Sequence, residues 1–242
     1  MSRAQSWGGS RKGPARRENQ DRLGLDPAHG LFVLSDGMGG HAEGARAAQA
    51  VVEAMLEPEP PESTHAQSRA ARLRTRVLRA HRRVCHLAQR LGHAGDMGAT
   101  LVALWLAGGG YSLATVGDSR AYLWRAGRLL QLNEDHTLVQ QYLRQGLLAP
   151  EQAAGHPQAH VLTQAMGVGE VTPDLFEGDL EPGDRFLLSS DGVHGVLPRD
   201  ELSGILAQAD TPRAAGEELL ARVASRGGDD DASVVVIFNP QE

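Results

Sequence analysis

Four times in 242 residues an apolar run of strand length is bounded by aspartate, and this repetition constrains the fold more than any other feature of the chain. Leu31 to Ser35 precede Asp36, Leu113 to Gly117 precede Asp118, and Phe186 to Ser190 precede Asp191. Asp229, Asp230 and Asp231 stand immediately before Ser233 to Phe238. Runs this short and apolar read as buried strands, and strand ends on one sheet edge are rigid mounts from which side chains can converge. Converging carboxylates repel unless a cation holds them together. With oxygen donors, one cysteine and no HExxH pattern, the ion to expect is hard, Mg²⁺ or Mn²⁺, and not zinc. Taken singly, an aspartate at a strand end is more often a turn former than a ligand, and Asp-Gly, present at two of these sites, is a common turn dipeptide; four strand-end sites weaken that reading without removing it.

The segments between these runs indicate the layers. A glycine-rich stretch from Met38 to Gly44 leads into an alanine-rich helix, Ala45 to Leu56, with Ala47, Val51, Ala54 and Met55 on one side. The Pro/Glu run Glu57 to Glu62 stops it and connects to an arginine-rich helix carrying Leu73, Val77, Val84, Leu87 and Leu91. Gly108 to Gly110 turn one hairpin between Thr100–Leu106 and Tyr111–Val116, and Ala126-Gly127 turn another between Ala121–Trp124 and Leu129–Leu132. Residues 137–175 form an excursion that contains a short helix, Leu138 to Gln145. Helices around two groups of antiparallel strands predict an α+β architecture in one domain, residues 1–242, not a βαβ wind.

Composition excludes several functions. Hydrophobic residues make up 41%, enough for a core, but aromatics only 4%, which leaves little to stack bases or sugars on. A nucleic-acid partner is therefore not expected. The single cysteine, Cys85, rules out an internal disulfide framework and fits a reducing, cytoplasmic setting. No run approaches a membrane span, and the first residues lack the apolar core of a secretion signal. The net charge of -6 divides into +6 over residues 1–92 and -12 over the rest, with eight arginines between Arg69 and Arg90. That arginine run reads as a solvated helix face, in preference to a nucleic-acid or phosphoprotein docking face. His81 and His86, on the same helix, read as surface residues.

An ordered series of motifs narrows the chemistry. Gly13-Pro-Ala-Arg16 and Asn19-Gln-Asp21 are followed by Asp36-Gly-Met-Gly-Gly-His41, Gly98-Ala-Thr100, Val116-Gly-Asp-Ser-Arg120, Asp135-His136, Leu162-Thr-Gln-Ala-Met-Gly167, Ser190-Asp-Gly192 and Gly228-Asp-Asp-Asp-Ala-Ser233. In content and order they resemble the metal-dependent protein phosphatases of the protein phosphatase 2C family, in their short bacterial form. The resemblance implies a four-layer αββα sandwich with a metal site at one edge and residues 137–175 as a flap over it. It implies hydrolysis of phosphoserine and phosphothreonine by direct attack of a water that bridges two Mn²⁺ or Mg²⁺ ions. Asp36 would bridge the ions, Gly37 would give its carbonyl to one, Asp191 and Asp230 would ligate the other, and Asp118 with Asp191 would hold a third. Arg16 would bind the substrate phosphate, while Gln20 and Asp21 would support the metals from behind.

Three positions depart from the family's commonest pattern. Gln20 stands where many members have Glu, and Asp231 stands where Asn is usual, adding charge beside the cluster or simply exposed. Met38 replaces the histidine proposed in animal members to protonate the leaving group, which a thioether cannot do. His41 is the candidate substitute, with a metal-bound water as the other. The resemblance further implies phosphoprotein partners made by a bacterial Ser/Thr kinase, in the manner of phosphatases encoded with type VI secretion systems, and a monomer. The competing reading keeps the fold as a catalytically silent phosphoprotein-binding module.

Overall fold

The computed structural model describes residues 4–39, 42–58, 68–153 and 155–240. Two antiparallel sheets lie face to face. One contains β1 (Gln5–Arg11), β11 (Ala232–Phe238), β10 (Arg185–Ser189), β7 (Arg120–Arg125) and β8 (Arg128–Gln131), in that order. The other runs β2 (Asp21–Asp26), β3 (Leu31–Met38), β5 (Leu101–Ala107), β6 (Gly110–Val116) and β9 (Asp174–Asp179), with the two-residue β4 (Gly98–Ala99) paired to the end of β3. Helices α1 (Ala42–Leu56) and α2 (Arg69–Leu91) cover the second sheet, and α6 (Arg199–Gln208) and α7 (Pro212–Ser225) cover the first. This is the αββα layering that the family resemblance implies, and it agrees with the α+β architecture read from the sequence pattern.

Three apolar layers hold the sandwich together. Phe32, Leu34, Val102, Leu104, Leu113, Phe186, Leu188, Val235 and Ile237 fill the space between the sheets. These strands are buried on both faces, which is why they read as continuous apolar runs and not as alternations. On α2 the residues Leu73, Val77, Ala80, Val84 and Ala88 are buried at successive steps of three and four, so that one stripe faces the sheet. Arg74, Arg82, Arg83 and Arg90 are exposed, whereas Arg69, Arg76 and Arg79 are half-buried on the carbonyls of Gly110, Met55 and Ala54 and Arg72 lies over the Trp105 ring, so the expected solvated arginine face holds only in part. Burial of each Val or Leu in that stripe contributes about 1.5–3 kcal/mol. Ser68 caps the helix by accepting the Ala71 N–H at 3.2 Å, and Gly92 ends it in the left-handed conformation.

Both glycine hairpins form as read, with Gly108 (φ 57°) and Gly109 (φ 76°) in one and Ala126 (φ 49°) and Gly127 (φ 79°) in the other. Consecutive left-handed residues are what a two-residue hairpin needs to match strand twist. Other boundaries differ. β3 continues through Asp36 to Met38, because β4 extends the ladder past the expected turn. Asp191 does not close a turn; it opens the one-turn helix α5 (Asp191–His194). α1 begins at Ala42, three residues earlier than predicted, and α3 (Leu138–Arg144) matches its expected place, followed by the one-turn α4 (Pro150–Ala153). The Pro/Glu connector lies outside the described residues from position 59 onward.

His81 is not a surface residue. Its Nδ1 accepts the Gly167 N–H at 3.1 Å, which ties the end of the excursion to α2, and its Nε2 lies 3.4 Å from the Cys85 sulfur. The excursion expected over 137–175 ends at 173, because Asp174 already pairs in β9. His86, by contrast, is exposed.

Candidate active site

The acidic residues gather at the seam where the chain passes between the sheets. Arg16 and Gln20 lie on the connection from β1 to β2, Asp21 opens β2, and Asp36 lies near the end of β3. Register places Asp21 directly opposite Asp36. Asp118 lies on the three-residue crossing from β6 to β7, and Asp191 and Asp230 come from the end of β10 and the approach to β11. Arg16, Gln20, Asp36, Gly37, Asp118, Asp191 and Asp230 line one pocket of about 840 Å³. Asp21 is buried just behind it.

A hydrogen-bond chain through small hydroxyl residues sets the spacing. The Thr100 hydroxyl accepts the Asp36 N–H at 2.9 Å and meets the Ser119 hydroxyl at 2.6 Å, so one side chain couples the mounts of Asp36 and Asp118. Thr100 N–H also donates to the Asp36 carbonyl at 2.8 Å. Ser190 repeats the device, donating to Asp21 at 2.9 Å and accepting the Ser233 N–H at 3.0 Å. Around Asp118, Gly117 is held at φ 94° and the Arg120 guanidinium grips Asp135 through several N–H donors at 2.7–3.2 Å. His136 accepts the Gly117 N–H at 3.2 Å and faces Asp174 at 3.2 Å with its other nitrogen, a positioning role for that loop.

Asp231 is buried, contrary to the exposed alternative. Its two oxygens accept the backbone N–H groups of Gly13 and Gln20, each at 2.8 Å, and so staple the β1–β2 connection to the segment before β11. Close backbone packing also explains Gly37. A Cβ there would lie 2.1 Å from the Gly44 carbonyl oxygen, so glycine is required to let α1 start against β3.

Electrostatics within the cluster favour protons or cations. Burial, then repulsion from Asp191 and Asp135, pushes Asp118 up to about 7. Burial pushes Asp21 up to about 6, against hydrogen bonds from Ser233 and Ser190. Asp36, desolvated and beside Asp21, Asp191 and Asp118, is raised well above the usual carboxylate range, and Asp191 is raised by burial and Asp230. Asp21 Oδ1 and Asp191 Oδ1 are buried without a hydrogen-bond partner. Orphaned anionic oxygens at this depth are costly unless something positive meets them. The donor set, all oxygen and strongly acidic, fits a hard divalent cation. Among the described residues no three His, Cys, Asp or Glu groups stand close enough to hold a metal ion.

The remaining predicted residues fall as follows. Arg16 lies at the pocket with its guanidinium on both oxygens of Asp230, at 2.6 and 2.7 Å. His41 lies outside the described residues. Met38 lines the pocket at 36% exposure. His160 was not anticipated; it lines the same pocket with Val161 and Leu162, its Nδ1 3.7 Å from Asp191. Nothing in its local sequence marks it, since only the return path of the 137–173 segment brings it there.

Two antiparallel sheets flanked by helices, with an acidic pocket and one arginine at their seam, define the class: a hydrolase of the serine/threonine protein phosphatase type. The description Protein phosphatase 2C matches residues 13–230, and the chain belongs to that family. It is 32% identical over 232 residues to the serine/threonine phosphatase stp of Listeria monocytogenes, covering 93% of this chain and 92% of that protein. Among solved structures, the catalytic domain of the phosphatase PstP in complex with two manganese ions superposes with a TM-score of 0.85 at 30% identity, covering 97% of each chain. PppA, described as a key regulatory component of the type VI secretion system in Pseudomonas aeruginosa, gives a TM-score of 0.83 at 32% identity, covering 98% of this chain and 97% of that one.

Proposed function

We propose that this chain hydrolyses phosphoserine and phosphothreonine in proteins with the help of Mn²⁺ or Mg²⁺ held at the seam between the sheets. The observation that carries the reading is the convergence of Asp36, Asp118, Asp191 and Asp230 with Arg16 on one pocket, with buried carboxylate oxygens that lack partners. Asp36, the Gly37 carbonyl, Asp191 and Asp230 would hold two ions, and Asp118 with Asp191 a third. When bound, such ions acidify water and neutralise the phosphate oxygens in an in-line displacement.

The protein's own groups bind and orient. Arg16 presents a planar fork that matches phosphate oxygens, and Asp230 engages it through Nη2 alone. Asp21 and Gln20 back the cluster, Asp21 fixed by Ser190 and Gln20 by Asp231. Met38 at the rim offers no proton, so leaving-group protonation falls to another group. Residues 137–173, through His160 to Leu162, form the flap that walls one side. The likeness to PppA supports a regulatory role in a type VI secretion system, and the substrate would be a protein phosphorylated by a bacterial Ser/Thr kinase. A free Cys85 supports a reducing, cytoplasmic setting.

The decisive experiment follows phosphate release from a phosphothreonine peptide with Mn²⁺. Asp36→Asn and Asp191→Asn should each abolish release, and EDTA should silence the wild type reversibly. Near-wild-type activity in either variant overturns the assignment, and an inactive wild type that binds no Mn²⁺ by calorimetry favours the silent module.

A further inference from the structure

Part of the arginine-rich face of α2 is not simply solvated: together with α1 it walls a groove of about 790 Å³. Arg22, Arg46, Arg83 and Arg90 face Glu18 and Glu53 there, four positive charges against two negative, on a chain whose net charge is -6. Two of these arginines are already engaged. Arg22 pairs with Glu18 at 3.3 Å and donates to the carbonyls of Asn19 and Asp21, and Arg83 pairs with Glu53 at 3.0 Å and also reaches Glu57. Arg46, Arg90 and His86 are exposed and have no hydrogen bond or ion pair among the described residues.

These free groups lie at the catalytic end of the groove. Helix α1 starts three residues after Gly39, which lines the catalytic pocket, and Arg46 lies in its second turn. The C-terminal end of α2, with Arg90, returns to the same place, since His93 just beyond it lies 3.5 Å from Glu43 of α1. Glu18 and Arg22, at the groove, flank Gln20, which lines the catalytic pocket. An extended peptide covers about 3.3 Å per residue, so a few residues can link the two sites. Among the described residues the groove lining has no Phe, Tyr or Trp on which bases could stack, which disfavours a nucleic acid.

We propose that this groove is a docking site for an acidic segment of the phosphoprotein substrate, bound by Arg46, Arg90 and His86 while the phosphorylated residue occupies the catalytic pocket. The inference rests on the phosphatase reading and names a substrate class for it: phosphoproteins with carboxylate or further phosphate groups close to the site of dephosphorylation.

The test compares phosphothreonine peptides with neutral flanks, with a Glu run on the N-terminal side, and with a Glu run on the C-terminal side. Wild-type kcat/KM should favour one acidic peptide over the neutral one by about two- to thirtyfold, the range that two exposed ion pairs supply, and the preference should fade with salt. The double variant Arg46→Glu/Arg90→Glu should lose the preference while its turnover of p-nitrophenyl phosphate, which cannot reach the groove, stays unchanged. A wild type without preference, or a variant that retains it, overturns the proposal. If p-nitrophenyl phosphate is not turned over at all, the phosphatase reading fails by itself. Fluorescence anisotropy of a labelled acidic phosphopeptide then decides the groove alone, supporting it if binding is lost in the double variant and overturning it if wild type and variant bind alike. Tighter binding of labelled RNA than of peptide, lost in the same variant, also overturns it.

Discussion

Replacing Asp231 by alanine should destabilise the chain through two specific backbone groups. The Asp231 carboxylate is 3% exposed and accepts N–H bonds from Gly13 and Gln20, both at 2.8 Å and both buried. Alanine supplies no acceptor, and each buried N–H left unmet costs about 1–3 kcal/mol. Loss of a negative charge that repels Asp21 returns part of this, leaving a net cost of about 2–4 kcal/mol. For a chain of this length that corresponds to a fall of roughly 4–16 °C in melting temperature. Asp231→Asn retains one acceptor but turns an NH₂ toward the other N–H, so it should fall between wild type and alanine. Thermal melts followed by circular dichroism in EDTA, where cation binding does not contribute, give the ranking. If Asp231→Ala melts with the wild type, the staple between the β1–β2 connection and the β11 approach contributes nothing, and the argument fails.

Three further outcomes follow from the site. Gly37→Ala should destabilise strongly, since its Cβ would meet the Gly44 carbonyl at 2.1 Å with backbone on both sides; a soluble variant with wild-type melting contradicts that packing. Arg120→Ala leaves Asp135 without its several-fold partner and should cost about 1.5–3 kcal/mol in urea unfolding, with Arg120→Lys recovering only part because an ammonium cannot reproduce the fork. Without divalent cation, stability should fall as pH rises from 5 to 8. Asp21 and Asp118 hold protons up to about 6 and 7 in the folded chain, but release them near 4 when unfolded. The folded state therefore binds more protons across that window, so the stabilisation is full below about pH 4 and gone above about pH 7. A flat melting profile over pH 5–8 in EDTA would be evidence against the coupled cluster, and Mn²⁺ added at pH 7.5 should raise the melting temperature.

The central strands were legible because they are buried on both faces and end at glycine turns, so their apolar runs and hairpins carry their own boundaries. The aspartates were legible by position, each at the end of such a run. Strand β1, with two glycines and a half-exposed pattern, and β2, with aspartates at both ends, carry no comparable signal. Both depend on partners far along the chain: β1 pairs with β11, and Asp21 meets Asp36 only through the β2–β3 register. α7 could have been read, because Thr211-Pro212 is a cap followed by proline in the first turn, with the Thr211 hydroxyl accepting the Ala214 N–H at 3.1 Å. The staple role of Asp231 and the support from Ser190 and His81 could not, since each bonds a group 43 or more residues distant. Spacing along the chain holds no trace of such contacts.

The apolar layer between the sheets has a consequence that reaches the chemistry. Asp21 and Asp36 ride on one sheet, Asp191 and Asp230 hang from the other, and Asp118 sits on a strap between them. The distance between the two sets of carboxylates is therefore gauged by the thickness of Phe32, Leu104, Phe186 and Ile237 packed side by side some way below. Trimming one of these side chains would leave a cavity into which the sheets could only partly settle, so that, on the proposed reading, cation affinity would become a remote measure of how well a greasy filling is packed. On the proposed assignment of those carboxylates, the spacing of bound ions would be tuned by hydrocarbon.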